Sequence, residues 1–177
     1  MDEPAPPRSR SQRTADTLDR LRGDVDLWVA SANADGEAYL VPLSYHWDGS
    51  TVTIATPSAS PTARNLLRAG RGRVALGQTR DVVIVEGTVE ALPIGADPEL
   101  EDAHARSAGF DPRTLRDEYV YLRITPQQIR AWRESNEHDG RVLNARWSVA
   151  RRGVSVVRSG DQKFSHNPTT LFSLSLK

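Results

Sequence analysis

From Ala55 to Leu66 the chain reads Ala-Thr-Pro-Ser-Ala-Ser-Pro-Thr-Ala-Arg-Asn-Leu, a strand end that passes through a hydroxyl-rich loop into a helix start. Ser60 is a good N-cap, Pro61 suits the first helical position, and Gly70 lies just past the end. Free N–H groups and the positive end of the helix dipole make such a start a ready anion site. Ser58, Ser60 and Thr62 add hydroxyl donors there, and Arg64 adds a charged fork suited to phosphate. An ordinary capped surface helix with a solvated Arg64 has the same local pattern. A Gly-rich run ending in Gly-Lys-Ser/Thr is absent, so this is not a triphosphate-binding loop.

A second segment with chemical potential is Tyr39-Leu40-Val41-Pro42-Leu43-Ser44-Tyr45. Pro42 has no N–H to give to a ladder, so it marks an edge, a bulge or a place where something else approaches. Neighbouring main-chain groups left free at such a point match the pyrimidine edge of a flavin; a plain edge strand fits the pattern equally. In a third segment, Arg80 and Asp81 open a strand that runs past Gly87. They pair with each other, cap a turn, or direct Arg80 at a cofactor tail. Trp132 ends the last strand pair, as core or interface filler or as a lid on a ring.

Other chemistries lack their residues. His46, His104, His138 and His166 are scattered, with no paired metal-ligand spacing. No Gly-x-Ser-x-Gly elbow is present. Glu99, Glu101 and Asp102 are explained by the acidic first turn of a helix. A chain so poor in reactive side chains fits a cofactor that carries the chemistry itself.

The elements that must position these residues are mostly strands. Residues 1–11, rich in Pro, Ser and Arg, read as a disordered arm. A short helix is predicted over Thr14–Arg22, then strands at Asp26–Ser31 and Ala38–Trp47 joined by a turn at Asn33–Gly36. Asp48-Gly49 turns into a strand at Thr51–Thr56, and the helix capped by Ser60 follows. Strands return at Gly72–Gln78 and Asp81–Leu92, the latter bulged at Gly87. A helix over Asp97–Ser107 precedes two strands, Glu118–Ile124 and Gln128–Trp132, separated by Pro126. Six to seven short antiparallel strands predict a mainly β fold closed or partly closed into a barrel, because closure removes exposed edges. A further strand at Val149–Val157 is possible, within a peripheral extension over residues 149–177.

Composition narrows the class. At 177 residues the chain is the size of one domain and needs no staple. With no cysteine, disulfides, thiolate zinc sites and a cysteine nucleophile are excluded. Lys plus Arg and Asp plus Glu both number 23, giving a net charge of zero, which argues against a nucleic-acid partner. The cations are nearly all Arg, with Lys163 and Lys177 the only lysines. No secretory leader and no bilayer-length apolar run is recognisable, so a cytoplasmic protein with no membrane partner is expected.

Taken in order, Leu-Trp-Val-Ala, Val-Pro-Leu-Ser, Trp-Asp-Gly, Ala-Thr-Pro, Ser-Pro-Thr-Ala-Arg-Asn-Leu, Arg-Asp-Val-Val and Tyr-Leu-Arg-Ile-Thr-Pro-x-x-Ile-x-x-Trp form a recognisable set. The chain resembles the pyridoxamine 5′-phosphate oxidase-like FMN-binding split-barrel family, in the branch that includes deazaflavin-dependent reductases, over roughly residues 24–134. No single motif is specific; the ordered set is. The resemblance implies a split-barrel cofactor-binding domain over residues 12–148 and a homodimer with its sites at the subunit interface. It implies FMN as cofactor, or alternatively a deazaflavin (coenzyme F-420), and no catalytic side chain or metal. Val41, Pro42, Leu43 and Ser44 would face the ring; Ser60, Thr62, Arg64 and Asn65 would hold the phosphate. Some relatives carry a Lys just before the Arg-Asn-Leu triplet, where Thr62 and Ala63 stand here, which removes a cation from the phosphate site. The activity implied is hydride transfer to or from a small organic substrate. The alternative is a non-catalytic flavin- or haem-type ligand-binding barrel.

Overall fold

The computed structural model describes residues 6–115 and 118–144. Helix α1 spans Arg10–Gly23 and leads into strands β1 (Asp26–Ala32), β2 (Ala38–Trp47) and β3 (Val52–Pro57). Helix α2 (Pro61–Ala69) follows, then β4 (Arg71–Gln78), β5 (Asp81–Pro93), helix α3 (Pro98–Ala108), a 3-10 turn at Pro112–Thr114, β6 (Tyr119–Arg133) and β7 (Val142–Asn144). All strand pairings are antiparallel, in the order β3-β2-β1-β4-β5-β6-β7. A further ladder between β3 and β6 runs from Val52–Ile124 to Pro57–Tyr119 and closes six strands into a barrel. β7 extends the sheet beyond that closure.

The core follows from alternation along each strand. Val29, Ile54, Val74, Val85, Leu122 and Ile124 are fully buried inside the barrel. α2 presses Ala63 and Leu66 onto the same cluster. Its punctuation is as the sequence predicts: the Ser60 hydroxyl accepts from the Ala63 N–H, Pro61 opens the helix, and Gly70 takes the left-handed conformation at φ 63°. The Asp97 side chain caps α3 in the same way by accepting from the Leu100 N–H.

Two expectations change. Helix α1 begins four residues earlier than Thr14, because Ser9 and Gln12 form a capping box. Of the expected arm, Arg10 and Ser11 are therefore helical, and Arg8 is pinned in place. Its guanidinium donates to both oxygens of Glu137 at 2.8 Å, to Asp81 at 2.8 Å and to Asp16 at 2.9 Å. Glu137 is itself buried and accepts from the Arg133 N–H at 2.8 Å, so this ion cluster ties the N-terminal segment to the end of β6. These bonds hold the Glu137 carboxyl down at about 2. Residues 1–5, the expected strand at Val149–Val157 and the extension over 149–177 lie outside the described residues.

The second change is that β6 is one strand, not two. Its pairing with β5 jumps from Glu86–Gln128 to Gly87–Pro126, so Gln127 is an extra residue bulged out of the ladder. Pro126 thus sits where the ladder is already interrupted and its missing N–H breaks no regular pair. Gly87 opposes it because there is no room for anything larger: a Cβ there would lie 2.0 Å from the Thr125 carbonyl oxygen. No helix among the described residues is long and apolar enough to cross a membrane. Gly87→Ala is predicted to destabilise the barrel by roughly 2–3 kcal/mol through this backbone clash, seen as a lower urea midpoint; an unchanged midpoint would contradict the tight bulge.

Candidate functional site

β3 pairs with β2 only from Tyr45–Ile54 to Trp47–Val52, which leaves the first half of β2 without a partner on that side. On its other side β2 is paired with β1 from Ala38 to Ser44. The Tyr45 N–H donates to the Val25 carbonyl at 3.0 Å, so by antiparallel alternation odd-numbered residues of β2 turn their main-chain groups toward β1. The N–H of Leu40 and Ser44, and the C=O of Leu40 and Pro42, consequently face the open edge. Pro42 costs the β1–β2 ladder nothing, because its nitrogen points away from β1.

Side chains alternate with the opposite consequence. Val41 and Leu43 lean inward on the core cluster, while Pro42 and Ser44 face outward. A cleft of about 320 Å³ opens at this edge, lined by Pro42, Leu43 and Ser44 together with Asp26, Ala55, Pro57, Phe110 and Tyr119. Val41 is not part of its lining. The Ser44 hydroxyl donates to Asp26 Oδ1 at 2.7 Å, which fixes the polar corner of the cleft.

A second cleft, of about 460 Å³, sits over the N-terminus of α2 and is lined by Pro57, Ser58, Ala59, Ser60 and Glu118. The Ser60 hydroxyl lies 3.0 Å from the Thr56 hydroxyl and accepts from the Ala63 N–H. The exposed Arg64 guanidinium folds back onto the Ala59 carbonyl, at the loop that forms this cleft. Thr62 and Asn65 are placed differently: both are buried on the barrel side of α2. Asn65 donates to the Ser31 hydroxyl at 3.3 Å and so orients the helix. A third cleft, of about 520 Å³, is lined by Ser58, Glu118, Tyr119 and residues of the 3-10 turn. Shared residues make the three continuous: Pro57 joins the first two, Ser58 and Glu118 the last two, and Tyr119 the first and third.

Donors and acceptors along this groove suit a planar heterocycle with an anionic tail. Unpaired strand amides and carbonyls lie at one end of the groove; hydroxyls, a helix N-terminus and the exposed Arg64 guanidinium lie at the other. Among the described residues, no group of three or more His, Asp or Glu could hold a metal. Residues that the sequence reading missed are Asp26, Phe110, Glu118 and Tyr119, which converge on the groove from distant parts of the chain. Phe110 directly follows the helix-ending Gly109, a weak signal; for the others there was none. Arg80 stays at the surface, 3.8 Å from Glu134, and Trp132 lies under Arg141 at 4.9 Å on the barrel's far side.

Behind the groove wall lies an aromatic layer under α3. The His104 ring is edge-on to Phe110 at 6.0 Å and to Tyr121 at 5.2 Å, and Phe110 meets Tyr119 at 6.0 Å. His104 is fully buried, and neither of its nitrogens has a hydrogen-bond partner. Burial, with His46 nearby, lowers its pKa to about 4. His46, lowered by burial, shares a 2.9 Å hydrogen bond with Ser107, which ties the end of α3 to β2.

Comparison with known proteins agrees with this architecture. The family described as pyridoxamine 5′-phosphate oxidase matches residues 19–133. A conserved hypothetical protein from Mycobacterium tuberculosis superposes with a TM-score of 0.57 at 19% identity, covering 76% of this chain and 91% of its own. An F420 reductase does so with a TM-score of 0.52 at 16% identity, covering 62% and 92%. A heme binding protein from Mycobacterium smegmatis has a TM-score of 0.58 at 13% identity, covering 80% of this chain and 58% of its own. At these identities the superpositions establish the fold alone. No curated protein matches the chain in sequence.

The buried His104 sets an acid limit on the groove wall. Its folded pKa lies below the ordinary 6.5, so the unfolded chain binds its proton first and stability falls as pH drops from about 6.5 to about 4. The contribution is roughly 3 kcal/mol. His104→Leu is predicted to lose this part of the acid sensitivity, measured as urea midpoints across that range; a pH dependence identical to the parent would contradict it.

Proposed function

Because the chain belongs to the pyridoxamine 5′-phosphate oxidase family, we propose that its groove holds FMN, or a deazaflavin (coenzyme F-420) in its place, and that the protein is an oxidoreductase acting on a small organic molecule. One observation carries this reading: the unpaired edge of β2 and the hydroxyl-rich start of α2 lie along a single groove. The alternative, binding of a flavin or haem-type ligand without turnover, has the fold likeness to the mycobacterial heme binding protein in its favour. No histidine is among the described residues that line the groove, which favours the flavin.

When bound, such a cofactor supplies reversible hydride transfer, which accounts for the lack of an activated nucleophile in the groove. The N–H of Leu40 and Ser44 would hold the polar edge of the ring and offset negative charge there, while the carbonyl of Pro42 would accept. Ser58 and Ser60 would bind the phosphate, with Arg64 swinging from the Ala59 carbonyl to neutralise it. Thr62 and Asn65, turned toward the barrel, position α2 rather than touch the phosphate. Leu43, Pro57, Phe110 and Tyr119 would exclude water from the ring and orient the reacting partner.

A homodimer is part of this proposal. On the outer face of the sheet, Trp28 is 50% and Leu40 59% exposed. The register sets Trp28 between Pro42 and Ala75, and Leu40 opposite Ala30. Such a contiguous apolar surface beside the open edge suits a second copy that completes the groove. A cytoplasmic location is part of the same reading.

The test is a parallel titration of cofactor-stripped protein with FMN and F-420, followed by absorbance and fluorescence. Saturation at micromolar or lower concentration by one of them, one per chain, is expected. Arg64→Ala should weaken that binding by roughly 1.5 kcal/mol, the low end for a charged hydrogen bond because the side chain is exposed. Absence of binding by either cofactor would overturn the reading, and unchanged affinity in the variant would remove Arg64 from the phosphate site.

A further inference from the structure

The third cleft carries a charge pattern that cofactor binding leaves unused. Its walls are apolar: Pro93, Ile94, Pro112, Leu115 and Val120, beside the half-buried Tyr119. Ile94 is 39% and Leu115 45% exposed, large apolar side chains with nothing over them. Two charged residues border the space, Arg113 and Glu118.

They are not equivalent. The Arg113 guanidinium is closed off by carboxylates. It donates to Asp111 at 2.8, 2.9 and 3.1 Å, lies 2.8 Å from Asp102, and has Glu101 at 3.9 Å. Three carboxylates surround its single positive charge and outweigh it. Glu118 is the reverse case. Its main-chain carbonyl is taken by the Ser58 N–H at 2.8 Å, which fixes the residue at the junction of the second and third clefts. Its exposed carboxylate has no hydrogen-bond or ion-pair partner among the described residues.

From this pattern we infer that the third cleft is a subsite for an apolar organic cation, an aromatic or aliphatic body bearing a protonated amine, and that Glu118 selects it against anions. The apolar walls take the body and the free carboxylate takes the charge. The ring of Tyr119 adds a second, weaker attraction for a cation. An anionic ligand finds the opposite: an unpaired like charge and an arginine already neutralised. By this chemistry the subsite disfavours a phosphate-bearing partner of the kind named in the family's description. The inference rests on the groove being a small-molecule site, and the subsite shares Ser58, Glu118 and Tyr119 with the clefts assigned to the cofactor.

Two ligands with the same ring and opposite charge test it: 2-naphthylmethylamine and 2-naphthoate, titrated calorimetrically into the full chain, with and without saturating FMN. The amine should bind at least tenfold more tightly than the acid. Glu118→Gln, a surface change that leaves the fold intact by circular dichroism, should cut that preference about five- to tenfold, and Glu118→Asp should keep most of it. Equal affinity for the two ligands, binding of neither, or a preference undiminished in Glu118→Gln would overturn the inference. The parallel FMN titration separates the two claims. If FMN fails to bind while the amine preference persists, the cofactor reading falls and the subsite stands.

Discussion

β3 pairs with β6 along its full length, from Val52 to Pro57, but with β2 over only three residues. The two ladders use opposite edges of β3: the closing one pairs all six residues and buries Ile54, Leu122 and Ile124, while the one toward β2 ends at Ile54. What remains is a stretch of main chain from Leu40 to Ser44 with polar groups facing no strand. In most sheets such an edge is covered or charged. Here it is flanked by the α2 N-terminus and by Phe110 and Tyr119, so the unpaired edge becomes one wall of a groove. The site is a by-product of how the barrel closes.

The surrounding structure holds that wall rigid through interactions of unequal kind. α2 is fixed at both ends, by the Ser60 cap and by Gly70, whose carbonyl accepts from the Val89 N–H at 3.0 Å. The wall under α3 is held mainly by aromatic packing, with His104 and the Tyr121 hydroxyl unpartnered inside it. Burial of unpartnered polar groups is costly, so His104 and the Tyr121 hydroxyl each weaken this layer. On the opposite side of the barrel, the Arg8–Glu137–Asp81 cluster does the reverse and locks the N-terminal segment onto β6.

Much of this was legible in the sequence where the signal is local. Ser60, Pro61 and Gly70 punctuate α2, and the β2 span follows from turn residues and alternation, while the irregularity read at Gly87 has its extra residue, Gln127, on the facing strand. The resemblance to a split-barrel family nominated Pro42, Ser44 and Ser60, which line adjoining clefts. What escaped is non-local. Pro126 read as a strand break because its partner Gly87 lies 39 positions away in the chain. α1 read as starting at Thr14 because the weight of Arg and Ser before it hid the capping box. Thr62 and Asn65 share a motif with Arg64, yet helical periodicity turns them to the barrel while Arg64 faces out. Glu118 and Tyr119 had no local mark at all, since only the β3–β6 ladder brings them beside Ser58.

Hydrogen exchange at single-residue resolution, with and without saturating FMN or F-420, tests the central claim most directly. The amides of Leu40 and Ser44 have no ladder partner, so they should exchange quickly in the free protein and slow markedly on binding, together with the amide of Thr62 at the start of α2. Protection confined to other strands, with Leu40 and Ser44 unchanged, would contradict the account, because the open edge of β2 would then play no part in holding the cofactor.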